Sequence, residues 1–505
     1  MGTDGAAKVA TAALAPGQVV EPMMRRLPPE WTPLRALEIV GHRPYTLFFE
    51  SGGPAGEASE WTILAFDPLY RLVLRDGRLR RIERDGTERE LGGHPLDALV
   101  RAWPAAIRAE GLAAELPFIS GLAGYLSYDL KDWIERYPSH AERDLDFPDL
   151  SLRFHDIVWA WRRSTGEGWG ISTGLCGDDR DGTCSSLERA FRAGSRLAQQ
   201  STLFGKDMGR TPEPPAPPRT PTVTSNFTRA AYESMVARAL ESIAAGDVYQ
   251  VNLAQRFRVE PVPPALEVYR ALRTIAPAPF LAFASLPDGG IASSSPERFF
   301  RVRGRTIETW PIKGTRPRGR TPEDDARFVA ELRSSAKDRA ENVMIVDLER
   351  NDLGRVCEVG SVQVPALCDV VSHSNVHHLE SRVEGTLRDD VGPVDVLRAL
   401  MPGGSITGAP KIRAVQIIDE LEPVRRAVYT GALGYWDVRG GCDWNIAIRT
   451  ISIVNGVAYF HAGGGVVADS TPAGEYEETL VKASGMMRAL GVDAHALDAP
   501  LATRP

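Results

Sequence analysis

The sequence predicts an α+β protein with extensive antiparallel sheet. Three observations lead there. The first 200 residues carry short apolar runs separated by turn pairs, the C-terminal half mixes strand and helix periods, and a proline-rich segment parts the two.

The early runs are Tyr45–Phe49, Trp61–Phe66 and Ile157–Trp161, with Asp76-Gly77 and Asp85-Gly86 as turn pairs. Apolar runs of this length bounded by Asp-Gly read as strands. Further along, Thr228 can cap a helix whose stripe is Tyr232, Met235, Val236, Leu240 and Ile243, ending at Gly246. Val248–Phe257 then reads as a strand, with Tyr249, Val251 and Leu253 on one face and Gln250 and Asn252 on the other. Glu323–Asp352 is expected to be mostly helical, and Pro472–Leu490 forms a second strong helix.

Between the halves, Thr211–Pro221 holds six prolines in eleven residues. Proline removes backbone donors and favours polyproline II, so an extended linker is expected. The predicted organisation is a disordered tail (1–29), a strand-rich region (30–200), a proline-rich linker (201–224), a catalytic region (225–492) and a short tail (493–505).

With 505 residues, the chain is long enough for a substantial core. Fifty-nine basic against 66 acidic residues give a net charge of −7, with both signs interspersed, which disfavours nucleic acid as a partner. Five scattered cysteines (Cys176, Cys184, Cys357, Cys368, Cys442) show no CxxC spacing, so a zinc site or disulfide framework is not expected. No apolar stretch reaches the length of a membrane helix. Val9–Ala15 imitates a secretory signal but is short and Ala-rich, with Asp4 in the would-be basic region. A cytoplasmic location is the expectation.

Two acidic pairs stand out. Asp338 and Glu341 share a helix face, as do Glu475 and Glu478, with Lys482 four residues further on. Carboxylates from two converging helices would suit Mg²⁺, which takes one or two protein oxygens and keeps its waters. Taken alone, each pair is explained more simply by solvated charge and helix-dipole compensation. Gly403–Lys411 (GGSITGAPK) begins like a phosphate loop, but Ala409 stands where that motif needs lysine, which excludes nucleotide binding. Gly463-Gly464-Gly465 follows a strand expected at Val457–His461 and is either a close backbone approach to an anion or a sharp turn.

Several longer segments occur in a fixed order: IAAGDVYQVNLAQRF, SSSPERFF, TWPIKGTRPRG, SSAKDRAENVMIVDLERNDLGRV, MPGGSITGAPK and GGGVVADSTPAGEYEETLVKA. In this order they resemble the chorismate-utilising enzymes, a family that includes anthranilate, aminodeoxychorismate, isochorismate and salicylate synthases. The likeness covers 225–492 and extends more weakly to FFESG at Phe48–Gly52 and GLAGYLSYD at Gly121–Asp129. It implies the fold of the anthranilate synthase large subunit, large antiparallel sheets packed as a sandwich with flanking helices.

It also implies roles. Glu341 and Glu478 match the family's magnesium ligands, and Asp338 and Glu475 match acidic neighbours that orient them. Gly314, Thr315, Tyr429, Arg449 and Gly463–Gly465 match chorismate-binding positions, with Arg449 suited to the enolpyruvyl carboxylate. Lys482, the glycine backbone and the metal suit the ring carboxylate. Glu297 matches the general acid that protonates a departing hydroxyl, and His378 a histidine beside the substrate, in a proton-transfer or a purely structural role.

Two positions divide the family. Where isochorismate and salicylate synthases resemble one another in a water-activating lysine, this chain has Gln250, so ammonia rather than water is the implied nucleophile. Lys313 in PIKGT resembles aminodeoxychorismate synthases, whereas anthranilate synthases typically show alanine there. The implied reaction is amination at C4 through a covalent Lys313 intermediate, on the route to p-aminobenzoate and folate. Amination at C2 with pyruvate loss is the alternative, and a catalytically silent tryptophan-binding or docking subunit is a third. Ammonia would come from a separate glutamine amidotransferase chain, since no glutaminase-type cysteine motif occurs here. Finally, Ser51 and Pro279-Phe280-Leu281 match positions at which feedback-regulated relatives bind L-tryptophan.

Overall fold

A computed structural model describes residues 18–19, 21–53, 60–104, 107–137, 139–174, 187–188, 190–192, 194–195, 220–373, 376–492 and 502–503. Residues 1–17 of the expected disordered tail (1–29), most of the proline-rich segment, Cys176 and Cys184 lie outside the described residues. The expected tail and linker are both too long: Met23–Arg26 is a strand paired with residues 169–172 and Leu27 is buried, and Thr222–Ser225 pairs with residues 257–260.

Two large, mainly antiparallel sheets dominate, 12-stranded and 13-stranded among the described residues. The first runs from Ile312–Pro317 through Val376–Thr386, Thr306–Trp310, Arg298–Arg303, Cys442–Ile446 and Ala432–Asp437. It continues through Gly121–Leu126, Leu150–His155, Tyr70–Arg75 and Arg78–Glu83 to Glu88–Leu91. The second places Leu47–Glu50 beside Phe280–Leu286, followed by Gly289–Ser295, Thr450–Val454, Val457–Val466 and Gln250–Glu260. Strands from both sides of the proline-rich segment therefore share each sheet. Phe283 pairs with Phe48 in one, and Tyr435 with Ala123 in the other.

The main core lies between the sheets. Leu47, Ile63, Ala282 and Ile291 of one sheet join Leu72, Leu122, Phe300 and Trp444 of the other in a single buried cluster. Burial at this density, at about 25 cal/mol per Å² of apolar surface, is what holds the sandwich. A second core covers the far face of the 13-stranded sheet, where helices Pro33–Val40, Ala265–Ile275 and Pro472–Ala489 pack on Phe257, Phe283 and Phe460. Trp159 sits at its centre, its ring 5.0 Å from Trp31 and 4.9 Å from Phe66.

The helix after Thr228 forms as its periodicity predicts: Thr228 Oγ1 accepts from Ala231 N at 3.1 Å, and Tyr232, Met235 and Val236 are buried. Two readings need correction. Glu323–Asp352 is two helices, Pro322–Ser334 and Ala336–Gly354, because Ser335 takes an extended conformation and caps the second through Asp338 N. The strand expected from Val248 starts at Gln250, and Tyr249 just before it is 72 % exposed rather than buried with Val251 and Leu253. Gln250 and Asn252, on the face opposite those two, are buried as well. The strand is covered on both sides, by helices and by the active-site cleft, so alternation alone could not assign its faces.

Candidate active site

The site forms where the 12-stranded sheet's Ile312–Pro317 edge meets the strands Gln250–Glu260 and Val457–Val466 of the other sheet, with helices Ala336–Gly354 and Pro472–Ala489 alongside. Its central feature is a bulge. Lys313 pairs with Leu379 and Thr315 with His378, leaving Gly314 unmatched. Gly314 has φ +71, and a Cβ there would lie 2.9 Å from Leu332 and 3.0 Å from Asp338. Both the conformation and the space require glycine, and the bulge re-aims the neighbouring Lys313.

Lys313 donates from Nζ to the Ser405 carbonyl at 3.3 Å. Part of its side chain stays open to the cleft, while its amine lies deep among protein atoms. Burial holds that amine below the ordinary lysine range, opposed by the charges of Glu341, Glu297 and Glu478. Glu297 is 5 % exposed, in the short link between Gly289–Ser295 and Arg298–Arg303. Burial raises its carboxyl to about 7, against the bond from Ser405 and the charge of Lys313. At neutral pH a substantial fraction is therefore protonated, as a proton donor requires.

Ser405 lies in the turn Gly404–Ile406. That turn is fixed from beneath by Arg426, which donates to Ile406 O at 3.1 Å and to Asn252 O at 2.6 Å and is paired with buried Glu422. In the sequence, GGSITGAPK served to exclude a phosphate loop and to carry part of the family likeness, and Ser405 was missed. The available signal was a serine inside a glycine-rich turn beside SPERF and PIKGT.

The two acidic pairs approach each other from their two helices. Asp338 accepts from Arg316 at 3.1 Å, and Glu341 is raised by burial, with Asp338 and Glu478 adding to the effect. Glu475 is buried. Its Oε1 accepts from Ser470 at 2.6 Å, and its Oε2 has no hydrogen-bond partner. Glu478 stays about half exposed. Burial acts to raise it, but Lys482 in direct contact, with Lys313 and Lys337, outweighs that and holds it below the ordinary range. Among the described residues, no three acidic, histidine or cysteine side chains gather tightly enough to cage an ion alone.

The glycine run departs from expectation. Gly463–Gly465 does not follow the strand but lies inside it, since Val457–Val466 continues unbroken and pairs Gly463, Gly464 and Gly465 with Ala254, Leu253 and Asn252. A Cβ at Gly464 would sit 2.7 Å from Glu475 Oε2, and one at Gly465 2.6 Å from Gln250 Nε2. Strand Thr450–Val454 stops pairing at Phe460, so beyond it one edge of the glycine segment has no strand beside it among the described residues. Alternate N–H groups of that edge are available to an anion.

Around this floor, Lys482 Nζ donates to Gly463 O at 3.0 Å, and Arg449 Nη1 donates to Lys482 O at 3.2 Å. Tyr429 stacks on His461 with ring centres 4.7 Å apart. Gln250 is fully buried with both amide atoms unpartnered. Burial pushes His378 down to about 3, so it is neutral, and its Nδ1 shares a hydrogen bond with Thr315 Oγ1 at 3.0 Å.

Ser51, Pro279, Phe280 and Leu281 lie apart from this cleft, together lining a cavity of about 780 Å³ between the sheets that also includes Tyr435, Asp443 and Asn445. Leu281 pairs with Glu50, which accepts from Tyr269 and Arg273 and anchors the Leu47–Glu50 strand.

A sandwich of this kind, with a buried acid and amine facing two carboxylate-bearing helices, defines a class. The chorismate binding enzyme family model matches residues 57–488, and the chain belongs to that family. Anthranilate synthase component 1 of Mycolicibacterium smegmatis is 36 % identical over 494 residues, covering 95 % of this chain and 93 % of that protein. Aminodeoxychorismate synthase component 1 of Escherichia coli is 37 % identical over 451 residues, covering 89 % and 94 %. The crystal structure of anthranilate synthase component I from Streptococcus pneumoniae superposes with a TM-score of 0.72 at 31 % identity, over 86 % of this chain and 94 % of that one.

Proposed function

We propose that the chain aminates chorismate at C4, giving 4-amino-4-deoxychorismate, with ammonia supplied by a separate glutamine amidotransferase chain. The observation that carries this reading is the buried Lys313 amine tied through Ser405 to the buried Glu297 carboxyl. Burial that lowers an amine below the ordinary lysine range favours its neutral, nucleophilic form, and a carboxyl raised to about 7 is an acid for a departing hydroxyl. Lys313 adds at ring C2 while the C4–O bond breaks, and the hydroxyl takes the Glu297 proton and leaves as water. Ammonia then adds at C4 and the Lys313 amine departs from C2.

Arg449 suits the enolpyruvyl carboxylate with its fixed fork of donors. The Gly463–Gly465 edge and Lys482 suit the ring carboxylate. His378, neutral and tethered to Thr315, orients that wall of the cleft. Mg²⁺ would be held by Glu341 and Glu478, oriented by Asp338 and Glu475. The unpartnered Glu475 oxygen and the crowding of carboxylates around Glu341 fit a cation. When bound, Mg²⁺ supplies fixed positive charge for the ring carboxylate.

The 780 Å³ cavity fits an aromatic amino acid, and we assign L-tryptophan to it as a structural ligand. The second reading, amination at C2 to anthranilate, is favoured by the comparable identity to anthranilate synthases. Mass identification of the product from chorismate, ammonium and Mg²⁺ separates the two. Aminodeoxychorismate supports the proposal, and anthranilate as the main product overturns it. Ammonium-driven activity alone, becoming glutamine-driven only on adding a glutaminase, tests the partner.

A further inference from the structure

We propose that Glu349 is a buried proton relay that recharges Glu297 between turnovers, fed from solvent by way of Asp352, which Lys411 holds. The inference rests on the reading of Glu297 as the proton donor.

Glu349 lies on the inward face of helix Ala336–Gly354, eight residues beyond Glu341, or about 12 Å along the helix axis. It is 8 % exposed, and its Oε2 is buried without a hydrogen-bond partner. Neighbouring Leu348 packs against Gly404, in the turn whose Ser405 bonds Glu297. One helical turn on, Asp352 shares the face of Glu349. Asp352 Oδ2 accepts from Lys411 Nζ at 2.5 Å, and Lys411 also donates to Leu400 O at 3.2 Å. The Lys411 side chain is 13 % exposed and adjoins exposed Ile412, so it stands at the outer end of the row. The charged groups acting on Glu349 are Glu297, Asp352, Lys411 and Lys313, each from a different element except Asp352. Burial, reinforced by Glu297 and Asp352, holds the Glu349 carboxyl well above the ordinary range, which favours its protonated form.

A proton is needed there. In each cycle Glu297 gives its proton to the departing hydroxyl, and the product leaves with an ammonium group formed from neutral ammonia. Lys313 departs as a neutral amine, which leaves Glu297 a carboxylate. Restoring it breaks the O–H bond of Glu349 and forms one on Glu297. Glu349 is reprotonated from solvent by way of Asp352, which Lys411 holds in place. Glu349 touches no reacting atom and acts only through Glu297.

The test is Glu349→Gln, which keeps the shape but has no acidic proton, followed by quenched-flow measurement of chorismate consumption with ammonium and Mg²⁺. The expected result is a first turnover at the wild-type rate, because Glu297 starts protonated, then a steady state slowed by about tenfold or more. Glu349→Asp should recover part of the steady-state rate. A wild-type steady state, or an equal loss in both phases, overturns the relay. If Glu349→Gln fails to fold by circular dichroism, Glu349→Met of similar volume carries the same two-phase measurement. Failure of the underlying reading shows separately, as a wild-type first turnover in Glu297→Gln.

Discussion

Lys313 and Glu297 are joined through one residue: the Lys313 amine donates to the Ser405 carbonyl at 3.3 Å, and the Ser405 side chain bonds the Glu297 carboxyl. The two groups are thus fixed relative to each other by a turn that is itself pinned by the buried Arg426–Glu422 pair. In the proposed reaction the nucleophile and the acid act on different carbons of one ring, which requires their separation to be rigid.

On the proposed mechanism, Lys313→Ala removes the nucleophile. C4 amination should fall to a trace, with C2-aminated product or anthranilate as any residue of activity. Lys313→Arg should not restore it, because a guanidinium stays charged and does not attack. Mass spectrometry of products reads both variants, and wild-type C4 amination by either one would exclude the covalent role.

Glu297→Gln should lower turnover by about 10²–10⁴-fold while stabilising the fold at alkaline pH. The carboxyl titrates near 4.5 when exposed and near 7 in the folded chain. Below 4.5 both states are protonated and the group is neutral in its effect. As pH rises through 4.5 to 7 the unfolded chain loses its proton first, which costs the fold roughly 3 kcal/mol in full above 7. Thermal melts at pH 4.5 and pH 8 should therefore show a gain for Glu297→Gln only at pH 8. The loss of turnover in wild type on the alkaline limb near pH 7 should be absent from any residual activity of the variant. A variant less stable at pH 8 would contradict this account.

Much of this site was legible because its side chains sit in motifs with distinctive types: Glu297 in SPERF, Lys313 in PIKGT, and the acidic pairs on helices. The long helices and the Thr228 cap were legible for the same local reason. What could not be read were properties of three-dimensional neighbours. Gly463–Gly465 looked like the end of a strand because glycine has low strand propensity, yet it persists because Glu475 and Gln250 occupy the space a side chain would fill. Nothing in the sequence singled out Glu349, because its burial is a property of the packed helix and not of the local sequence.

Replacing either Glu341 or Glu478 with alanine should weaken Mg²⁺ binding measured calorimetrically without turnover, and should abolish turnover at ordinary Mg²⁺. Glu478→Ala also frees Lys482 and should be the more severe, with partial rescue by excess Mg²⁺. Full activity of either variant in the presence of a chelator would rule out the assignment.

L-Tryptophan should raise the melting temperature, by an amount equivalent to about 2.7 kcal/mol at a concentration a hundredfold over Kd. Phe280→Ala, which removes an aromatic wall of the cavity, should abolish that shift while leaving chorismate consumption largely intact. No shift in the wild type, and no tryptophan retained through native purification, would leave the cavity to another ligand.

The sharing of both sheets by the two halves of the sequence has a consequence on the ribosome. When the first 220 residues have emerged, Leu47–Glu50 and Gly121–Leu126 still lack the partners Phe280–Leu286 and Ala432–Asp437, which have yet to be translated. The nascent chain thus presents two open hydrogen-bonding edges for the time needed to add roughly 200 more residues, about 10–40 s at ordinary elongation rates. Unpaired edges of that kind recruit other strands. Yield in the cell should accordingly depend on chaperones that shield nascent chains more than on the stability of the finished fold.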